Sequence, residues 1–251
     1  GDTVESWGSN NNGQLGDGTN EDREDAVPVS GISTATLVTT GLDHSCVLLS
    51  NGSIQCWGDN FYGQLGDDST SDSNIPVTVS GISTAIDITA GYNHNCALLS
   101  DHSVQCWGYG SYDQLGDGAD ANSSVPVTVM SISSAVQVAA GYLHSCALLD
   151  DGTINCWGSR KYGQLGDGPI ANTATAAPVP VTGISNAIGI AARSSSTCAI
   201  LSDNSIRCWG QNTYGQLGNN STSDSGTPVT VVGISTATQA AIEYTHACAL
   251  L

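Results

Sequence analysis

The chain has 251 residues, of which 39% are hydrophobic and 6% aromatic, and its formal charge at pH 7 is −18. A surface with this charge repels phosphate backbones and anionic lipid headgroups, so we expect neither nucleic-acid binding nor membrane insertion. No apolar run approaches the roughly 18 residues that a transmembrane helix needs. The chain is rich in Gly, Ser, Thr, Asn and Asp and lacks a helical apolar period, which predicts an all-β protein of short strands and polar turns.

A single repeat organises the chain, and five tryptophans mark it. They are Trp7, Trp57, Trp107, Trp157 and Trp209, so the steps between them are 50, 50, 50 and 52 residues. A unit of this size cannot bury its own faces and must stack on its neighbours. We therefore assign residues 1–251 to one repeat domain. Its units run over about 1–31, 32–81, 82–131, 132–183 and 184–233, followed by 234–251.

The unit that begins at Gly81 predicts four short strands. They cover Ala85–Ala90, His94–Leu99, Ser103–Trp107 and Val125–Val129. Turn residues separate the first three strands, and a long polar loop precedes the fourth. Four short strands per unit, repeated about a centre, predict the blade of a β-propeller. A superhelical stack of β units is the alternative.

The hairpin between the second and third strands has a register that can be derived from its loop. Gly52 ends a three-residue loop and suits a left-handed conformation, which places Cys46 opposite Cys56. Directly opposed residues in a pair that is not hydrogen-bonded lie close enough for a disulfide. The same spacing predicts four disulfides: Cys46–Cys56, Cys96–Cys106, Cys146–Cys156 and Cys198–Cys208.

The two ends of the chain supply complementary parts of one blade. The chain begins with a third strand, Thr3–Trp7, and ends with a second strand, His246–Leu251. Pairing these strands would complete a ring and remove exposed edges. We therefore predict a β-propeller of about five four-stranded antiparallel blades, with a closing blade built from the N-terminal and C-terminal strands. Because Gly1 already lies inside a unit, we expect a processed or excised start, or a piece of a longer array.

Two stretches carry a family resemblance. Residues 141–149 read GYLHSCALL and residues 156–168 read CWGSRKYGQLGDG, and related blocks cover essentially the whole chain. This pattern resembles the regulator of chromosome condensation repeat. The resemblance implies a propeller with blades of four antiparallel strands. Members include an exchange factor for a small GTPase, secreted inhibitors of β-lactamases, and bacterial extracellular repeat proteins. The best-studied members have seven blades, whereas this chain has material for five.

The cysteines and histidines invite two chemical interpretations. Paired cysteines favour an oxidising environment, so we expect an extracellular or cell-surface protein. His44, Cys46 and Cys56 share a strand face and could bind zinc, but no fourth ligand recurs. We interpret the repeated histidines as structural and predict no metal site, no cofactor and no catalytic residues. Calcium bound by the acidic loops is a weaker alternative.

The positions that break the repeat are the candidates for partner binding. A recurrent glycine becomes Arg193 and Glu243 in the last two units, and adjacent blades would bring these two side chains together. The next position is apolar or aromatic in four units. The predicted contact patch consists of Leu42, Tyr92, Tyr142, Arg193, Glu243 and Tyr244.

Cys248 stands apart from the other cysteines. Ser6 occupies the position of its expected partner, so Cys248 is predicted to be an unpaired thiol. An odd cysteine in a secreted protein points to an intermolecular bond or a free thiol.

These observations favour an extracellular, non-enzymatic propeller that acts as a protein-binding, structural or adhesive module. We expect a protein partner or self-association, and no small-molecule substrate. Two alternatives stay open: an inhibitor or regulator of a specific enzyme or GTPase, and a subunit of an extracellular filament or surface assembly.

Overall fold

A computed structural model describes residues 2–251, so the expectation about Gly1 lies outside the described range. The described residues form twenty β-strands and no helix, and thus include no helix long and apolar enough to cross a bilayer. The strands are β1 (Glu5–Gly8), β2 (Arg23–Pro28), β3 (Ala35–Thr40), β4 (His44–Leu49), β5 (Ile54–Gly58), β6 (Ser73–Thr78), β7 (Ala85–Ala90), β8 (His94–Leu99), β9 (Val104–Gly108), β10 (Ser123–Thr128), β11 (Ala135–Ala140), β12 (His144–Leu149), β13 (Ile154–Ser159), β14 (Ala174–Pro180), β15 (Ala187–Arg193), β16 (Ser196–Leu201), β17 (Ile206–Gly210), β18 (Ser225–Thr230), β19 (Gln239–Ile242) and β20 (Ala247–Leu250).

Most of the strands form four complete blades. Each blade is a four-stranded antiparallel sheet whose spatial order follows the chain: β3–β6, β7–β10, β11–β14 and β15–β18. We name these blades A, B, C and D. The predicted all-β propeller is confirmed, and the strands expected in the unit from Gly81 correspond to β7–β10.

The hairpin register follows the prediction. Cys46 is paired with Cys56, and Leu48 with Ile54. Gly52 has a φ of 79°, in the left-handed region that the loop requires. All four predicted disulfides are present, with Cα–Cα distances of 4.0–4.1 Å that suit opposed residues of a non-hydrogen-bonded pair.

The first strand of each blade lines a central channel. The channel walls include residues of β3, β7, β11, β15 and β19. The last strand lies at the opposite, outer edge of the sheet, where Pro is tolerated because no ladder donor is needed there. The hydrophobic core lies between blades: Cys46, Leu48 and Ile54 of blade A cluster with Ile88 and Trp107 of blade B. Each blade is thus stabilised by its neighbour.

The expected closing blade is present only as two separate halves. Strands β1 and β2 form one two-stranded sheet, and β19 and β20 form another. We name them the N-terminal and C-terminal half-blades. The expected pairing of β1 with β20 is not made. Each half-blade is packed on the complete blade beside it, the first around Trp57 and the second around Leu217. This packing sets the angle between neighbouring sheets. With that angle, β1 and β20 belong to separate sheets and do not pair.

Candidate functional site

The tyrosine and phenylalanine side chains lie on one face of the propeller. The loops between the first and second strands and between the third and fourth strands of each blade emerge at this face. All eight tyrosines and the single phenylalanine lie in these loops: Phe61, Tyr62, Tyr92, Tyr109, Tyr112, Tyr142, Tyr162, Tyr214 and Tyr244. We call this surface the tyrosine face. Tyrosine supplies apolar contact area with a polar end, so it is common in protein interfaces.

Three of the predicted patch residues share one cavity on the tyrosine face. Tyr92, Tyr142 and Tyr244 line a cavity of about 230 Å³, together with Tyr162 and Lys161. The ring centroids of Tyr92 and Tyr142 are 4.5 Å apart in an edge-to-face arrangement. Stacking of this kind holds the rings in place before any partner binds. The cavity is therefore a preformed aromatic pocket with a cationic group at its rim.

Lys161 and Tyr162 belong to the pocket but were not among the predicted residues. Lys161 Nζ lies 5.2 Å from the centroid of the Tyr162 ring, a cation–π distance. The signal was present in the sequence, since a tyrosine precedes the Gly-Gln-Leu-Gly block in this and several other units.

A second aromatic group extends the tyrosine face across blades A and B. The ring centroids of Tyr62 and Tyr109 are 4.6 Å apart, and Tyr109 is followed by Tyr112 at 6.2 Å. Phe61 packs edge-on against Tyr62 and is 72% exposed. Burial raises the pKa of the Tyr109 phenol.

Arg193 and Glu243 pair, as predicted, at the channel wall. Arg193 Nε lies 3.5 Å from Glu243 Oε1. The Arg193 guanidinium also donates from Nη1 to the carbonyl oxygen of Thr40, at 3.0 Å, in β3 of blade A. This side chain therefore connects blade D with both the C-terminal half-blade and blade A. Its role in binding a partner stays a prediction.

Leu42 and Cys248 lie outside the aromatic pocket. Leu42 is 55% exposed and lines a cavity of about 420 Å³ beside the N-terminal half-blade. Cys248 is a free, exposed cysteine in β20 of the C-terminal half-blade. The structure thus divides the predicted patch: the tyrosines converge, the ion pair lines the channel, and Leu42 is separate.

The loops of the tyrosine face are acidic, and some of their carboxylates form ion pairs with arginines of the same loops. Arg23 and Arg160 form ion pairs with Asp17 and Asp167 at 2.7 and 2.6 Å. Although burial works in the opposite direction, hydrogen bonds from Thr19 and Arg23 lower the pKa of Asp17 to about 2. The remaining acidic residues leave the face net negative, which favours a partner with a basic surface.

The carboxylates of the acidic loops accept hydrogen bonds from their own loops. Asp67 accepts hydrogen bonds from the backbone and hydroxyl of Ser69, and Asp72 accepts one from the backbone N–H of Asn60. Within residues 2–251, no group of three or more His, Cys, Asp or Glu side chains could hold a metal ion. Cys46 and Cys56 are joined in a disulfide and are not available as zinc ligands. The carboxylates of Asp67 and Asp72 are thus engaged in hydrogen bonds within their own loop.

A polar network that the sequence did not reveal crosses the interface between blades. In blade B, His94 Nε2 lies 2.9 Å from the hydroxyl oxygen of Ser145 in blade C. The Ser145 hydroxyl in turn donates a hydrogen bond to the carbonyl oxygen of Gln114. His144 makes the same contact with Thr197 of blade D at 2.8 Å. Because the hydroxyl donates to a carbonyl, the histidine Nε2 must carry the proton in each case.

The nitrogen–oxygen distances of these histidine–hydroxyl pairs are those of a catalytic dyad, but the pairs differ from a dyad in their burial. His94, His144, Ser145 and Thr197 are fully buried. Burial lowers the pKa of His94 and of His144 to about 3, so both rings are neutral. A nucleophile must reach a substrate and be activated by its base. These hydroxyls do neither, so the network holds blades together.

Comparison with known proteins agrees with this architecture. The sequence matches the family model described as RCC1-like domain over residues 1–249. Human WBSCR16 superposes with a TM-score of 0.87 at 22% identity, covering 98% of this chain and 66% of that one. Yeast RCC1 (Prp20) bound to Kap60 gives 0.82 at 19% identity, covering 93% and 57%. Prp20p of Saccharomyces cerevisiae gives 0.79 at 20% identity, covering 91% and 58%. No curated protein matches the sequence.

The chain spans about two thirds or less of the length of these solved structures. At sequence identities of 19–22%, the structural similarity establishes the fold of the chain and nothing beyond it.

Proposed function

The chain belongs to the RCC1-like domain family, and we propose that it is a non-enzymatic, extracellular or cell-surface module that binds a protein partner through its tyrosine face. The observation that carries this proposal is the concentration of every tyrosine and the one phenylalanine on a single face of a rigid scaffold. A partner with a basic, partly apolar surface fits the acidic and aromatic character of these loops.

Three features support a protein partner in particular. The aromatic pocket, at about 230 Å³, is smaller than a usual small-molecule site and is shared among several blades, so it suits a protruding side chain of a partner. Aromatic and Arg residues dominate the energetics of protein interfaces. Among the family neighbours, yeast RCC1 has been solved bound to Kap60, and Prp20p has been studied for its binding to Gsp1p and histones. A protein ligand is thus consistent with the family.

The disulfides support an extracellular location. Each complete blade carries one, and all eight of these cysteines are buried. Structural disulfides persist in oxidising compartments and are rare in the cytosol. The location can be tested by trapping thiols in intact cells and in the medium. The protein is denatured in the presence of the alkylating reagent, because all eight cysteines are buried in the native chain. We expect a single alkylated cysteine per chain; eight further alkylated thiols would contradict the proposed location.

Photo-crosslinking can test the tyrosine face directly. A photoreactive residue at Tyr142 should capture the partner, whereas the same residue at Asp150, in a loop on the opposite face, should not. The captured protein is then purified and its affinity measured. Replacing Tyr92 and Tyr142 by Ala should weaken binding at least about tenfold, in line with the cost of truncating interface hot spots. Asp150→Ala is the matched control and should leave affinity unchanged.

Two results would refute the proposal. One is capture of the partner at Asp150 but not at Tyr142. The other is an affinity that the double tyrosine variant leaves intact. Circular dichroism and the retention of all four disulfides would show that each variant is folded.

A further inference from the structure

The aromatic pocket has polar residues in its lining as well as tyrosines. These residues include Ser159, Gln164 and Ser195. Each of the three is at most 5% exposed. Buried polar side chains normally have hydrogen-bond partners, so a polar side chain without one indicates what a pocket can bind.

The side-chain amide of Gln164 has an unused hydrogen-bond donor. Its Oε1 accepts a hydrogen bond from the backbone N–H of Tyr162, at 2.8 Å. Within residues 2–251, its Nε2 has no acceptor. A buried donor without an acceptor lowers stability. Since Gln164 lines the aromatic pocket, a ligand in the pocket can supply the acceptor that Nε2 lacks.

Equivalent amides in other units show which acceptors this donor takes. In blade A, Gln64 Nε2 donates to Asp59 Oδ2 at 2.5 Å. One unit earlier, Gln14 Nε2 lies 3.5 Å from Asp43 Oδ1 in the neighbouring blade. Gln216 Nε2 donates to a backbone carbonyl oxygen, at 3.1 Å. In two of these three units the acceptor is therefore a carboxylate.

Both carboxylate positions are occupied by serine at the aromatic pocket. The repeat places Ser159 at the position of Asp59, and Ser195 at the position of Asp43. Serine is shorter than aspartate and carries no charge. The chain therefore keeps the amide donor of Gln164 and leaves space beside it, but it does not supply the anion.

The pocket also lacks an aromatic ring that the preceding units have. Tyr92 and Tyr142 stack with ring centroids 4.5 Å apart, and the next unit has Ser194 at this position. Ser194 lines the pocket and has a φ of 48°, a left-handed conformation that is uncommon outside glycine. Tyr142 is left 42% exposed beside the pocket. Its ring can therefore pack against the apolar stem of a ligand.

Lys161 gives the pocket a positive charge on an otherwise acidic face. It is one of five basic residues in the chain, and among the described residues it forms no ion pair. None of the described residues that line the pocket is acidic. The more distant acidic loops are screened over about 8 Å at physiological ionic strength. The local charge therefore favours an anionic ligand.

We propose that the aromatic pocket receives the carboxylate of an Asp or Glu side chain of the protein partner. One carboxylate oxygen accepts a hydrogen bond from Gln164 Nε2, and the carboxylate pairs with Lys161. Charge-assisted contacts of this kind are stronger than neutral hydrogen bonds. The inference rests on the proposed function for the source of the carboxylate, whereas the preference of the pocket for an anion can be measured without the partner.

Phenylacetate is a suitable probe, because it joins an aromatic ring to a carboxylate. In NMR titrations of the isotope-labelled chain, the side-chain amide signals of Gln164 should shift and saturate with phenylacetate. Phenylacetamide has nearly the same shape without the charge, and it should bind at least about tenfold more weakly. Lys161→Gln should weaken phenylacetate binding by about tenfold and leave phenylacetamide binding unchanged.

A carboxylate placed inside the pocket provides a second test. Ser159→Asp restores the residue found at Asp59 and should occupy the Gln164 donor, so phenylacetate binding should be lost. Ser159→Ala is the matched control, because it leaves the pocket open and should keep phenylacetate binding. Circular dichroism shows whether both variants are folded. Phenylacetate binding that Ser159→Asp leaves intact would contradict the proposed position of the carboxylate.

Carbodiimide coupling tests whether the partner supplies the carboxylate. In the complex captured at Tyr142, the reagent should join the Lys161 amine to an Asp or Glu of the partner as an amide, with loss of water. Peptide mass spectrometry identifies the joined residues. Lys161→Gln should lower partner affinity at least about tenfold. Arg207→Gln removes the same charge outside the pocket and should leave affinity unchanged.

The outcomes separate this inference from the proposed function. Equal affinity for phenylacetate and phenylacetamide, or no effect of Lys161→Gln on phenylacetate, would overturn the anion-binding pocket. A partner captured at Tyr142 without any Lys161 crosslink, and with affinity that Lys161→Gln leaves intact, would overturn the inference and leave the proposed function standing. Phenylacetate binding without capture of any protein at Tyr142 would assign the pocket to a small carboxylate and refute a protein source.

Discussion

Lowering the pH from 7 to 5 is expected to destabilise the folded chain by several kcal/mol, through three histidines. His44, His94 and His144 are fully buried. Burial lowers their pKa from the ordinary value of 6.5 to about 4, about 3 and about 3. The folded state therefore binds fewer protons than the unfolded chain. The free energy of unfolding falls as the pH drops below 6.5, and this loss ends near the folded-state pKa values.

The size of the effect follows from proton linkage. Between pH 7 and pH 5, each histidine that stays neutral in the folded state costs about 2 kcal/mol, so three cost about 6 kcal/mol. This loss of free energy holds for any folded-state pKa values below 5, because the histidines then stay neutral in the folded chain down to pH 5. Since ordinary domains are stable by about 5–15 kcal/mol, the loss should be obvious. Carboxyl groups with ordinary pKa values titrate mostly below this window.

Urea titrations at pH 7, 6 and 5, with the disulfides intact, would measure the effect. The midpoint should fall steadily with pH. His144→Gln should reduce the pH dependence by about a third, since it removes one of three titrating groups. His246→Gln is the matched control, because His246 is exposed. A midpoint that is constant from pH 7 to 5, or an identical decline in His144→Gln, would refute the reasoning.

Three further predictions concern the scaffold. Trp107→Phe removes the indole bond to Gln64 and should lower the free energy of unfolding by about 1–3 kcal/mol, whereas Trp7→Phe should change it by less than about 0.5 kcal/mol in urea titrations at low protein concentration. Replacing both Cys146 and Cys156 by Ser should cost about 2–3 kcal/mol, measured in the same way; a loss below about 0.5 kcal/mol would mean that the disulfide is dispensable. Saturating calcium should leave the melting temperature unchanged, and a rise would reveal a binding site.

The repeat made most of the fold predictable from the sequence. The spacing of the tryptophans set the blade count, and the three-residue loop ending in Gly52 fixed the hairpin register. That register placed Cys46 opposite Cys56, as the structure shows. Local rules were sufficient here because each disulfide joins cysteines only ten residues apart. Interactions within one blade can be derived from turn chemistry and strand alternation.

The closure of the ring could not be derived in this way. Whether β1 meets β20 depends on the turn between successive blades, and that turn results from packing at four junctions at once. The sequence shows which residues occupy a junction, such as Trp107 and Gln64, but not the angle that their packing produces. A small difference in that angle, added over several blades, decides between a ring and an arc. The count of strands was therefore predictable and their closure was not.

The histidines were assigned a structural role, but the partners that explain it were missed. The sequence places His44 on the strand face of Cys46 and Cys56. The actual partner is Asn95, one unit further along, with Nε2 and Oδ1 3.0 Å apart. A signal existed, because the residue directly before the first cysteine of the hairpin is polar in the second, third and fourth units, at Asn95, Ser145 and Thr197. Residues one repeat apart are neighbours in a propeller, so such positions must be compared across units.

The break at Arg193 also makes sense only when two positions are considered together. A Cβ added at Gly41 would clash with the His44 ring, so the buried ring requires a glycine at this position. In the fourth unit, where Arg193 replaces the glycine, Ser196 replaces the histidine and donates instead to the carbonyl of Gln211. Removing the ring makes room for a side chain at the channel wall. Arg193 uses that room to reach Thr40, so the loss of one buried histidine and the gain of a channel-spanning cation are a single structural change.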